Sequence, residues 1–195
     1  FKRPFRRLTM RDAIKEYAGV DIKGLGLEEL REACRARGVE IDETMGEGKL
    51  IDELFGAACE EHLVQPTFLI DYPIELSPLC KRHRDDSELT ERFELFVNGH
   101  ELCNAYSELN DPQDQYERFR EQMELAAKGD EEAMRIDHDY IRAMEYGMPP
   151  CSGMGIGIDR LVMLLLDKPS IQDVLLFPQM RPEPRVARDD DEAFK

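Results

Sequence analysis

Apolar residues recur at helical spacing in the first third of the chain and at strand spacing in the middle. Leu50, Ile51, Leu54, Ala57 and Ala58 form one apolar stripe, which predicts a helix over 49–62. Two shorter helices are expected before it: 10–17, capped by Thr9 and ended by Gly19, and 27–37, stopped by Gly38. These three read as a surface insertion over 20–62, with a lid or partner-contacting arm as the other reading. Residues 1–8 mix basic with apolar side chains and read as a strand or connector. The β-branched and aromatic run 66–72 predicts a buried strand broken by Pro73, with a second short strand over 74–80. The charged run 81–88 reads as a solvated loop.

Asn98-Gly99 lies between strand-like runs at 92–97 and 100–108, the strongest hairpin signal in the chain. Asp111-Pro112 opens a helix to about 128, closed by Gly129, with Tyr116, Phe119, Met123 and Ala127 as its apolar stripe. A further helical stretch, 131–147, breaks near Asp137 and ends before Pro149-Pro150. The run 171–177 reads as a closing buried strand or helix end, and 183–195 as an acidic, disordered tail.

Between them lies Gly153-Met154-Gly155-Ile156-Gly157-Ile158-Asp159-Arg160, followed by an almost unbroken apolar run to Leu166. Alternate glycines remove every side chain from one face of a strand, so backbone or a flat ligand lies against it. Residues 158–166 predict a buried helix. Arg160 falls in its first turn, the wrong end of the helix dipole for a cation. Either an internal ion pair or an anion held by the guanidinium fork explains it. The segment is neither a phosphate loop nor a dinucleotide fingerprint, because Gly-Lys-Ser/Thr is absent and the glycine spacing is wrong.

Composition narrows the picture. The 195 residues suffice for one sizeable domain, and the formal net charge of −16 makes the piece a poor main grip on nucleic acid. The five cysteines are odd in number and lack metal-ligand spacing, which suits free thiols in a reducing compartment, the cytoplasm. No apolar run reaches membrane-span length.

The hairpin carries the candidate chemistry: Glu94, Glu101, Asn104, Tyr106 and Glu108. Asn104, Tyr106 and Glu108 alternate and share a face. A carboxylate, a phenol and an amide oxygen in one groove suit an ammonium ion. Glu94 and Glu101 suit a hard divalent cation, while the plain alternative is that strand glutamates face water. In a regular hairpin Glu94 pairs with Cys103, and Glu101 and Asn104 fall on opposite faces. If all five serve one site, a bulge is required near Leu102-Cys103.

Gly-x-Gly-x-Gly-x-Asp-Arg before an apolar helix resembles the third signature motif of class II aminoacyl-tRNA synthetases. The flanks Tyr146-Gly147-Met148-Pro149-Pro150 and Phe177-Pro178-Gln179-Met180-Arg181-Pro182 narrow the resemblance to the lysyl group. Phe93-Glu94-Leu95-Phe96 and the run from Glu101 to Asp111 are similar to that group's lysine-binding segment, and Glu75-Leu76-Ser77-Pro78-Leu79 is also family-like.

The resemblance implies an α+β fold, an antiparallel sheet flanked by helices, with 1–182 as an incomplete catalytic domain. It implies lysine held by Asn104, Tyr106 and Glu108. Magnesium on ATP would be held by Glu94 and Glu101, the nucleotide lined by Gly157, and the terminal phosphate clamped by the catalytic Arg160. The implied activity is a lysine–tRNA ligase, homodimeric, with lysine, ATP and lysine tRNA as partners and no membrane. The family's first and second motifs and its anticodon-binding barrel are not in this sequence. The isolated piece is therefore expected to be inactive, with an exposed sheet edge where strands are missing. A stand-alone paralogue lysylating a translation factor, and a catalytically dead binding module, are the rival readings.

Overall fold

The computed structural model describes residues 1–127 and 134–179. The chain divides into two units, Phe1–Gly157 and Ile158–Lys195. The first holds a five-stranded sheet in the order β1-β2-β3-β4-β5. Its strands are β1 (Arg6–Thr9), β2 (Thr67–Pro73), β3 (Leu89–Val97), β4 (His100–Ser107) and β5 (Ser152–Ile156). Only the β1–β2 pair is parallel. With the helices around it, this is the expected α+β fold.

Local signals place most of the elements. Thr9 Oγ1 accepts from the Asp12 amide and starts α1 (Met10–Ala13), which widens into a π-helical turn over Ile14–Ala18 and stops at Gly19 (φ 67°). Helices α2 (Leu27–Arg35) and α3 (Glu47–Ala58) follow. Asp111 caps α4 (Pro112–Ala127), and Asp137 caps α5 (His138–Glu145), the expected break. Asn98 and Gly99 both take positive φ, 55° and 75°, as a two-residue hairpin turn requires.

The stretch expected as an insertion, 20–62, contributes to the core. Leu30, Cys34, Leu50, Leu54, Phe55 and Cys59 from it join Met10, Ile14, Leu69, Tyr72 and Phe96 in the main buried core. Helices thus cover the sheet at β2 and β3. Burial pushes the Cys59 thiol up to about 12 and that of Cys80 up to about 11, which leaves both inert.

Four expectations are corrected. Residues 74–80 form no strand: a 3₁₀ turn at Ile74–Leu76 leads to a single bridge at Cys80. The buried face of α4 is Gln115, Arg118 and Phe119, whereas Tyr116 and Met123 are exposed. Polar groups displace the apolar stripe there because the Arg118 guanidinium donates to the carbonyls of Ser77 and Cys80 and pairs with Asp114. In the second unit, α6 (Ile158–Leu166) forms but buries none of its residues; it packs on a 3₁₀ turn at Ile171–Asp173, too short to cover an apolar face. Beyond that turn, Leu176 and Phe177 are exposed, so 171–177 is not a buried strand. The acidic tail 183–195, residues 131–133 and the helix end at 128–129 lie outside the described residues.

The sheet ends at β1 and β5. Among the described residues β5 has no strand on its outer side.

Candidate active site

Two bulges decide which side chains share a face. In β2 the register shifts between Ile70 and Tyr72, where Asp71 takes φ 61°. In the hairpin it shifts between Leu95 and Phe96: Phe96 pairs with Glu101, but Leu95 pairs with Cys103. Leu102 is the extra residue, at the place the sequence required. Glu94 therefore stands opposite Asn104, not Cys103. Directly paired residues share a face. Arg92 and Glu94 of β3, Glu101, Asn104 and Tyr106 of β4, and Gly153 and Gly155 of β5 line one surface. Gly157 follows it, its amide donating to the Leu102 carbonyl at 2.9 Å. Of the seven expected residues, Glu108 lies just past this set, and Arg160 lies in the first turn of α6, in the second unit.

The two glycines make a floor without side chains. Glu108, just past β4, lies over Gly153, and a Cβ there would collide with its carboxylate. Burial pushes the Glu108 carboxyl up. Among the described residues no side chain hydrogen-bonds to it or pairs with it. Tyr106 and Tyr140 stand close enough to feel its charge; burial first, then Glu108, raises both phenols.

Glu94 is in a different state. It is 9% exposed. The Tyr72 hydroxyl donates to Oε2 at 2.6 Å and Arg92 Nη2 to Oε1 at 2.5 Å. Burial still pushes its carboxyl up, Arg92 and Tyr72 pull it down, and Glu101 pushes it up again. The same acidic charge reaches Glu60, whose carboxyl is raised by burial and then by Asp52, Glu94 and Glu101. A cleft of about 1060 Å³ opens at this end, lined by Asp52, Glu60, Tyr72, Arg92 and Glu94 among others.

Sequence reasoning missed Arg92. Its Nε donates to Asn104 Oδ1 at 3.2 Å, and its Nη1 donates to the Leu76 carbonyl and to Ser77 Oγ, both at 2.9 Å. Its guanidinium carbon lies 4.4 Å from the centre of the Tyr72 ring. Arginine only donates, so the Asn104 oxygen faces Arg92 and leaves the amide N–H₂ for another partner. The amide oxygen assigned to an ammonium ion thus already accepts one hydrogen bond and keeps a second lone pair.

The family model for tRNA synthetases class II (D, K and N) matches residues 1–181. The chain belongs to this family. Among its relatives, the lysine–tRNA ligase of Porphyromonas gingivalis (strain ATCC 33277) is 65% identical over 194 residues, which is 100% of this chain and 34% of that protein. The lysine–tRNA ligase of Christiangramia forsetii is 60% identical over 198 residues, covering 100% of this chain and 35% of its own length. That of Azobacteroides pseudotrichonymphae is 65% identical over 183 residues, covering 94% and 37%. The chain therefore spans about a third of the length of these curated relatives. As a class II synthetase segment it carries the glycine strand and the carboxylate hairpin side by side on one sheet.

Proposed function

We propose that this chain is the lysine-binding segment of a lysine–tRNA ligase, an enzyme that uses ATP to activate lysine as lysyl-adenylate and then charges tRNA. The observation that carries the reading is Glu108: a partly buried carboxylate with no side-chain partner among the described residues, laid over glycine backbone and close to two phenols. A primary ammonium is the ligand that relieves it. Relatives at 60–65% identity named lysine–tRNA ligase support lysine as the amino acid and tRNA, not a protein, as the acceptor.

Tyr106 adds a hydroxyl and a π-face beside the ammonium. Asn104, its oxygen accepting one bond from Arg92, offers N–H donors suited to the lysine carboxylate. Glu94 and Glu101 fit a magnesium ion that also takes phosphate oxygens: both are hard donors on one face, they repel each other, and Glu94 keeps a lone pair on each oxygen. When bound, magnesium neutralises phosphate charge. Gly157 lines the nucleotide, and Arg160 clamps its terminal phosphate.

Attack of the lysine carboxylate on the α-phosphorus needs positioning and charge neutralisation rather than a proton-transferring base. In this reading Glu108 and Asn104 fix the two ends of lysine, and Arg160 balances the departing pyrophosphate. Parts of the protein outside this chain supply the remaining ATP contacts, the dimer and most of the tRNA grip, so the isolated piece is expected to be inactive. The free thiols suit the cytoplasm, and no described helix is long and apolar enough to cross a membrane.

The test is amino-acid-dependent ATP–pyrophosphate exchange by the full-length protein with each of the twenty amino acids. Exchange with lysine alone is expected. Exchange with aspartate or asparagine instead would overturn the pocket assignment, and none at all would favour a binding module.

A further inference from the structure

We propose that Arg92 is a positioning residue that sets the lysine side and the metal side of the pocket together, an inference that rests on the function proposed above. Arg92 presents three edges of one planar group to three parts of the fold. Nε holds Asn104 on β4, Nη2 holds Glu94 on its own strand, and Nη1 is anchored on the turn at Leu76 and Ser77. The Tyr72 ring covers its face. The bulge at Leu102 makes this possible, because it brings Asn104 opposite Glu94, within reach of one guanidinium two residues along β3. The anchor at Leu76 and Ser77 fixes the fork from behind, so Asn104 and Glu94 cannot be reoriented independently. Four of the five Arg92 N–H donors go to these contacts, and one on Nη2 remains. A lysine at the same place is a point charge on a flexible stem and cannot span the three edges.

The experiment uses the full-length protein with Arg92→Lys and Arg92→Met. It reads the lysine dissociation constant by calorimetry without ATP or magnesium, and the lysine and the magnesium concentrations that give half-maximal ATP–pyrophosphate exchange, together with kcat. Both concentrations are expected to rise by about 10- to 100-fold, the usual cost of losing a group that orients a ligand holder, with a smaller change in kcat. In an Asn104→Ala background, Arg92→Met is expected to add little to the lysine requirement, since both act through one contact. Wild-type requirements in Arg92→Lys, or fully additive losses in the double variant, would overturn the inference.

Should Arg92→Met not fold, Asn104→Asp decides. It keeps an acceptor for Arg92 and loses the N–H donors, so the lysine requirement should rise about tenfold or more; an unchanged requirement would overturn the inference. A wild-type protein without lysine-dependent exchange removes the reading beneath the inference. A normal wild type with normal Arg92 variants removes the inference alone.

Discussion

The carboxylate of Glu108 occupies the space that a Cβ on residue 153 would need. The glycine and the glutamate are a matched pair, joined through β4–β5 register in which Tyr106 sits opposite Gly153. Gly153→Ala should push the flexible Glu108 side chain aside rather than move the sheet. In the full-length protein the KM for lysine is expected to rise about tenfold or more, because misplacing an oriented group by about 1 Å carries such a penalty. The KM for ATP should change far less. Equal losses for both substrates would show that the strand itself had moved.

Glu108→Gln should separate function from stability. The folded-state carboxyl is raised by burial, so the fold is more stable when it is protonated. That stability is complete below the unfolded carboxyl value and is lost as pH rises through the raised folded value. At pH 7 the variant should therefore melt no lower than the wild type, and this advantage should shrink as the pH falls and the native carboxyl protonates. Lysine binding should be lost heavily in the same variant, with ATP binding spared. Thermal melts at several pH values, with and without lysine, read both effects.

Tyr72→Phe removes the hydroxyl that donates to Glu94 Oε2 at 2.6 Å in a buried setting. Leaving that oxygen short of a donor should cost about 1–3 kcal/mol in urea unfolding. The magnesium requirement for exchange should shift with it, since the same oxygen is then free to swing.

Leu54→Ala tests the role of the helices at 10–62. Leu54 is 0% exposed and lies in the cluster that joins α3 to β2 and β3. A loss of about 2–5 kcal/mol on chemical denaturation is expected for a buried leucine truncated to alanine. A loss below about 0.5 kcal/mol, typical of surface sites, would mean that this layer is not part of the core.

Much of the site was legible one stretch at a time. Asn98-Gly99 announced the hairpin, because few other residue pairs accept positive φ at both turn positions. The parity of Glu101 and Asn104 demanded a bulge, and Leu102 provides it. The alternate glycines announced a bare strand face. Arg92 stayed hidden, because a charged strand residue between Glu91 and Glu94 reads as solvent-facing; its partners Leu76 and Ser77 come from a turn that the sequence presented as a strand. Tyr140 stayed hidden for a similar reason: it lies on α5, more than thirty residues beyond Glu108, and nothing local ties the two.

By itself, then, the sequence determined the turn, the glycine floor, the helix caps and the roster of carboxylates. Each of these depends on dihedral preferences and alternation within a few residues. Tertiary structure decided the electrostatic state of each carboxylate and the polarity of Asn104. It left Glu108 partly buried and without a side-chain partner among the described residues while it gave Glu94 a phenol and a guanidinium, although both are glutamates of the same hairpin. Desolvation and hydrogen bonding depend on which distant strands and turns close around a side chain, and no pattern within the hairpin carries that information.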